Sequence, residues 1–150
     1  MKSAYRYLAY LIAVGVVVQA AAIAYAFFGF RKWIDDGNTF DKSVLEDQSA
    51  EFTGVGGFPL HGINGQMVIP LIVIILLIIS FFAKIPGGTK WALVLVVAIA
   101  AQVSAGLFGG GIPALGIFHG VNALFIFGTA VMAAKRVTTG SSAHLASEPV

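Results

Sequence analysis

His61 opens the stretch His-Gly-Ile-Asn-Gly (61–65), and His119 opens His-Gly-Val-Asn-Ala (119–123). Both stretches lie in long apolar runs, and in each the histidine is followed by Gly, an aliphatic residue, Asn and a small residue. An ionisable side chain within a membrane-like apolar run is costly and marks a functional position by default. Neutral imidazole is a good iron ligand. Two imidazoles at one depth on two parallel helices can hold a planar macrocycle between them, the axial ligation of a heme in a bundle core. A lone histidine near a helix end would more simply donate to a carbonyl on a neighbouring helix. The matched pair in a repeated motif favours ligation. No third His, Cys or carboxylate falls in the apolar runs, which argues against zinc or copper. The third histidine, His144, stands in a polar stretch and reads as a solvated residue.

The neighbours fit the same chemistry. Residues three and four apart share a helix face. Gly65 and Ala123, four past each histidine, leave room for a flat ring. Gly62 and Gly120 follow the histidines directly and remove more bulk, and Asn64 and Asn122 are placed to hydrogen-bond a ligand backbone or a propionate. Gln19 and Gln102 stand deeper, as inter-helix hydrogen-bonding groups or as contacts to the macrocycle edge.

The elements that position these residues follow from composition. Of 150 residues, 58% are hydrophobic and 11% charged, where a soluble domain carries roughly 25% charged residues. The chain is expected to be an integral membrane protein, and its net charge of +2 gives no reason to expect nucleic acid. The absence of cysteine excludes disulfides and thiolate chemistry. Four runs meet the requirement of about 20 apolar residues per span: about Tyr7–Phe30, Phe58–Ala83, Trp91–Gly109 and Ile112–Ala134. None contains Asp, Glu, Lys or Arg. The first is too long for the apolar region of a signal peptide and reads as a retained span. Pro70 is expected to kink the second. The spans and their turns make one domain over 1–137, and the small, polar stretch 138–150 reads as a disordered cytoplasmic tail.

With four crossings, Lys2, Arg6, Lys84, Lys90, Lys135 and Arg136 fall on one side. Arg31, Lys32 and Lys42 fall on the other, in a 31–57 loop that also holds Asp35, Asp36, Asp41, Glu46, Asp47 and Glu51. The positive-inside rule then predicts both termini in the cytoplasm of a multi-pass cell-membrane protein, with the 31–57 loop outside. Arg31, just past the first span, is a candidate partner for a propionate.

The spans repeat. Gln19 precedes His61 by 42 positions and Gln102 precedes His119 by 17, a difference close to the size of the extra outer loop. This predicts an all-α four-helix membrane bundle built of two parallel-repeat helical hairpins related by an axis along the membrane normal. The two histidines are expected near the outer face, at depths roughly 6 Å apart by helical rise.

The stretch Gln-Val-Ser-Ala-Gly-Leu-Phe-Gly-Gly-Gly-Ile-Pro-Ala-Leu-Gly-Ile-Phe-His (102–119) resembles the Gln-x-x-x-Gly, short outer turn, His pattern of heme A synthase. In layout the resemblance covers roughly residues 7–134, and similarity to membrane b-type cytochromes is looser. It implies a half-bundle with histidines on its second and fourth helices gripping one heme, where His61 and His119 stand, with Gln102 and Gly106 in the third-helix pattern. The chain has four spans rather than that family's eight, and lacks its Tyr-x-His-Arg motif and the cysteine pair of some members. The resemblance therefore implies heme binding rather than the oxidising activity.

Three functions remain open at this level. The first is a b-type cytochrome with one bis-histidine heme b, suited to electron transfer with a quinone, an outer redox protein or a larger membrane redox complex, with self-association left open. The second is a non-enzymatic packing or assembly subunit with structural histidines. The third is a heme-handling enzyme or carrier related to heme A synthase.

Overall fold

The computed structural model describes residues 1–47 and 50–145, and every regular element among them is helical. Helix α1, Lys2–Asp35, has 34 residues, about 51 Å at 1.5 Å per residue, and so outreaches an apolar layer of about 30 Å. Its last turns are polar, with exposed pairs Arg31–Asp35 at 3.4 Å and Lys32–Asp36 at 2.8 Å. It ends where Gly37 takes a positive φ of 94° and Asn38 Nδ2 donates to the Trp33 carbonyl at 2.8 Å.

Short α2, Lys42–Asp47, is capped by Asp41, whose carboxylate accepts from Ser43 Oγ at 2.7 Å and Val44 N–H at 3.1 Å. These two hydrogen bonds, Ser43 first, hold the Asp41 carboxyl below its usual pKa. The chain then returns along the end of α1. Phe30 packs on Phe40 and Phe52 with ring centres 4.9 and 5.9 Å apart, and Phe27 packs on Phe58 at 5.5 Å. Gly54, at φ 103°, passes so close under the Tyr25 carbonyl that a Cβ would stand 2.7 Å from it. Part of the stretch read as a loop is thus helical, and an aromatic cluster pins the remainder to α1.

The second span, Gly57–Ala83, has three parts. Helix α3, Gly57–Ile63, passes into a π-helical turn, Asn64–Val68, and then α4, Ile69–Ala83. The distortion lies just ahead of Pro70, whose ring excludes the carbonyl four residues back and whose nitrogen carries no donor. A turn widened by one residue accommodates both, with Ile69 N–H reaching the Asn64 carbonyl. A π turn thus stands at the place where a kink is expected.

Lys84, left-handed at φ 50°, and Gly87, at φ 71°, turn the chain into α5, Gly88–Phe108. Residues 109–113 make a tight turn into α6, Ala114–Leu145. The expected disordered tail is helical in its backbone as far as Leu145, and 146–150 lie outside the described residues.

Each long helix packs on its successor, and α1 packs on α6 to close the ring. The start of α1, the 84–90 turn and the end of the fourth span meet at one end of the bundle. There Tyr5 Oη donates to the Gly88 carbonyl at 2.9 Å, and the Arg136 guanidinium lies 4.9 Å from the Trp91 ring centre. The 31–57 loop and the 109–113 turn form the opposite end, called here the loop end.

The four long apolar helices carry large exposed side chains, among them Leu11, Phe28, Leu71, Phe81 and Val97. Water would not tolerate so much contiguous apolar surface. The chain is a multi-pass membrane protein in contact with the lipid bilayer.

The core is solid only in the half nearer the termini. The largest fully buried side chains are Tyr5, Ile12, Leu76, Leu95 and Ile126, all on that side of the histidines. Toward the loop end the hairpins are tight internally. A Cβ on Gly57 would collide with the Ala22 carbonyl and stand 3.0 Å from the Ala26 Cβ. The open space in this half lies between the hairpins.

Candidate functional site

His61 is the fifth residue of the helix beginning at Gly57, and His119 the sixth of the helix beginning at Ala114. The depths agree more closely than the sequence boundaries implied. The rings approach one another from the two hairpins, with centres 6.1 Å apart and planes inclined by 45°.

The two rings are held alike. His61 Nδ1 donates to the Gln19 carbonyl at 3.1 Å, and His119 Nδ1 donates to the Gln102 carbonyl at 3.1 Å. A carbonyl only accepts, so the proton of each neutral ring sits on Nδ1 and the lone pair on Nε2. Among the described residues neither Nε2 has a hydrogen-bond partner. A backbone carbonyl on one ring nitrogen is the outer contact that fixes the tautomer and orientation of metal-binding histidines.

Asn64 and Asn122 complete the repeat. Asn64 Nδ2 donates to the Gly15 carbonyl at 3.1 Å and to Gln19 Oε1 at 3.2 Å. Asn122 Nδ2 donates to the Ala98 carbonyl at 2.8 Å and to Gln102 Oε1 at 2.8 Å. The three corresponding bonds span 42 and 17, 49 and 24, and 45 and 20 residues, so each pair differs by the same 25. The hairpins are therefore one design, the first carrying the longer connection.

The asparagines, expected to face a ligand, are buried ties within each hairpin. Gln19 and Gln102 serve twice, through the carbonyl on a histidine and through the side chain on an asparagine. Gln102 Nε2 also donates to the His119 carbonyl at 3.0 Å. Deleting one such tie tests its structural role. Hydrogen bonds between membrane helices average about 0.6 kcal/mol, with a maximum near 1.7. Because Asn122 makes two, Asn122→Ala should destabilise the bundle by about 1–2 kcal/mol, measured by reversible unfolding in mixed micelles.

Two cavities flank the rings, of about 280 and 470 Å³. Both are lined by His61, His119, Gln19, Gln102, Gly65 and Val103. The smaller opens between α1 and α6, past Ala20, Ile23, Ala123 and Leu124. The larger opens between the second span and α5, past Gly62, Gln66, Gly106 and Gly109. Together they form a slot between the hairpins, crossed by the two rings, within the range of about 300–1,000 Å³ usual for cofactor sites.

The glycines sort into two kinds. A Cβ on Gly120 would meet nothing within 4 Å, and one on Gly62 only Gln66 Nε2 at 3.8 Å. Both line the slot, Gly120 on one side and Gly62 on the other. Gly65 borders the slot too, but a Cβ there would strike the Gln19 amide, so its smallness serves the tie rather than a flat ring. Gly106 lets the His119 ring lie against α5, where a Cβ would stand 3.3 Å from Cε1.

Arg31 is not brought to the slot. It is highly exposed, pairs with Asp35 one turn on, and lines neither cavity, because α1 continues past Phe30 and carries it beyond the rings. Gln66, which the sequence reading passed over, does reach the slot. Its signal was its place four residues after Gly62, as Leu124 follows Gly120.

Two imidazoles bound to one metal ion from opposite sides have a definite spacing. A metal–imidazole bond of about 2.0–2.1 Å, plus about 1.1 Å from nitrogen to ring centre, separates two such ring centres by about 6.3 Å. The observed 6.1 Å agrees. Among the described residues no three His, Asp or Glu cluster, so the pair is a two-ligand arrangement.

A family model described as "Family of unknown function (DUF6220)" matches residues 49–106, a stretch that includes His61, Asn64 and Gln102 but not His119. No curated protein and no solved structure matches.

Proposed function

We propose that the chain is a small membrane b-type cytochrome in which His61 and His119 hold one heme b between two repeated hairpins. The observation that carries this reading is the pair itself. Two imidazoles 6.1 Å apart have their Nδ1 protons tied to equivalent carbonyls, which leaves both Nε2 lone pairs for a metal. Purely structural histidines would need the carbonyl bonds, but not the open cavities lined by Gly62 and Gly120 on either side of the rings. The resemblance to a heme A synthase half-bundle supports the same assignment.

A heme so held supplies a one-electron couple. Iron held by both His61 and His119 would leave no position for oxygen or a substrate, which would suit electron transfer rather than catalysis. The protein's own part is to fix both tautomers, to line the α1–α6 side with apolar residues, and to hold the ligands on helices. A quinone, an outer redox protein or a membrane redox complex is the kind of partner such a centre serves. Purified protein reduced with dithionite should give a sharp α-band that carbon monoxide leaves unshifted. A band that shifts would favour an open-coordination heme enzyme, and no band at all would favour a structural bundle.

The six cations at the end bearing the termini, against three at the loop end, support both termini being cytoplasmic in the cell membrane. The rings then lie toward the outer face. A reporter fused after Arg136 should be active only in its cytoplasmic form. Activity of the exported form alone would reverse the orientation.

A further inference from the structure

The slot is pseudosymmetric in its backbone but not in its lining. Leu124, four residues after Gly120, stands at the α1–α6 opening among Val16, Ala20 and Ile23. Gln66, four residues after Gly62, stands at the other opening. Residues four apart share a helix face, so one repeat position carries an apolar side chain and the other an amide.

The Gln66 amide has no hydrogen-bond partner among the described residues, though it lies within a membrane span. An amide facing hydrocarbon without a partner is costly. Helical side chains lean toward their own N-terminus, which carries this amide back to the level of Gly62, as the 3.8 Å approach of Nε2 to a Cβ built there shows. The cavity it borders reaches Gly109, Gly116 and Phe27 at the loop end, whereas the other reaches Val16, Ile69 and Ile126 in the bundle interior.

We infer that the slot reads the two edges of an amphipathic macrocycle: its carboxylate edge lies between the second span and α5, where Gln66 donates to it, and its apolar edge lies between α1 and α6. This rests on the bis-histidine reading. It replaces Arg31 with Gln66 as the group that recognises a propionate. A charge-assisted bond to a carboxylate gives the amide the partner it lacks. The wider cavity gives the charged edge a route toward the loop-end surface.

The test is a Soret titration of heme-free full-length protein in detergent with hemin and with hemin dimethyl ester, whose carboxylates are blocked. Gln66→Leu should weaken hemin binding by about tenfold and weaken the ester, whose carbonyls accept only an uncharged bond, much less. Gln66→Glu, which keeps the size but sets like charge against the carboxylates, should weaken hemin further and again affect the ester much less. Equal effects on both ligands, or none on either, would overturn the inference while a low-spin spectrum in every variant left the histidine ligation standing. Failure of the unsubstituted protein to bind either ligand with a low-spin spectrum would overturn the bis-histidine reading, and this inference with it.

Discussion

His61→Ala and His119→Ala should each abolish stoichiometric heme. Loss of an outer hydrogen bond to a metal ligand costs 10–100-fold in affinity, so loss of the ligand itself should exceed about 100-fold. The remaining iron would be five-coordinate on one side of a slot shaped for two rings, and any residual heme should bind carbon monoxide. The bundle should survive. Each ring contributes one hydrogen bond to a neighbouring carbonyl, worth about 0.6 kcal/mol between membrane helices. Heme-to-protein ratio and the reduced spectrum check this. Full occupancy with an unchanged low-spin spectrum in either variant would remove that histidine from the ligand set.

The second large effect belongs to Gly120 and Gly62. A Cβ at either position meets almost nothing in the protein, and the two glycines line the slot, Gly120 on the α1–α6 side and Gly62 on the other. Gly120→Leu should therefore not destabilise the heme-free bundle, since replacing a glycine inside a helix gains about 0.5–1 kcal/mol of helix propensity. The same side chain would compete with a rigid macrocycle for the slot. Overpacking of about 1–3 kcal/mol corresponds to heme binding weakened roughly 10–100-fold. Gly62→Leu should act alike from the other opening. Gly65→Ala is the contrast: its Cβ strikes the Gln19 amide, so the heme-free protein itself should lose stability. Heme bound at wild-type affinity by both leucine variants would mean that the slot is not where a cofactor sits.

The spans and the histidine pair were legible because each leaves a signal in one dimension. Twenty apolar residues without charge define a crossing, and a five-residue motif repeated at matching places in two crossings marks paired positions. Even the 25-residue difference between the hairpins was present in the Gln–His spacings. What spacing did not give was the partner of each polar group. Three residues past a histidine says which face Asn64 and Asn122 occupy. It does not say that a carbonyl on the neighbouring helix stands there first, as those of Gly15 and Ala98 do.

Arg31 looked close to the site because the apolar run stops at Phe30, but the helix does not stop with it, and charge past a span end continues as a helix wherever i,i+4 pairs support it. The π turn ahead of Pro70 and the aromatic clasp on the long loop depend on tertiary contact and leave no periodic trace. Gln66 escaped notice for a simpler reason. A single amide in a span reads as tolerable until the wall it faces is known, and that wall is made by α5.

Electron paramagnetic resonance of the oxidised, purified protein tests the central claim most directly, since it reports the ligands on iron rather than the presence of heme alone. The account predicts one low-spin ferric signal per chain, of the bis-imidazole type, that is lost in both alanine variants. A high-spin ferric signal in the unsubstituted protein, or no heme iron in protein purified with heme in excess, would contradict it.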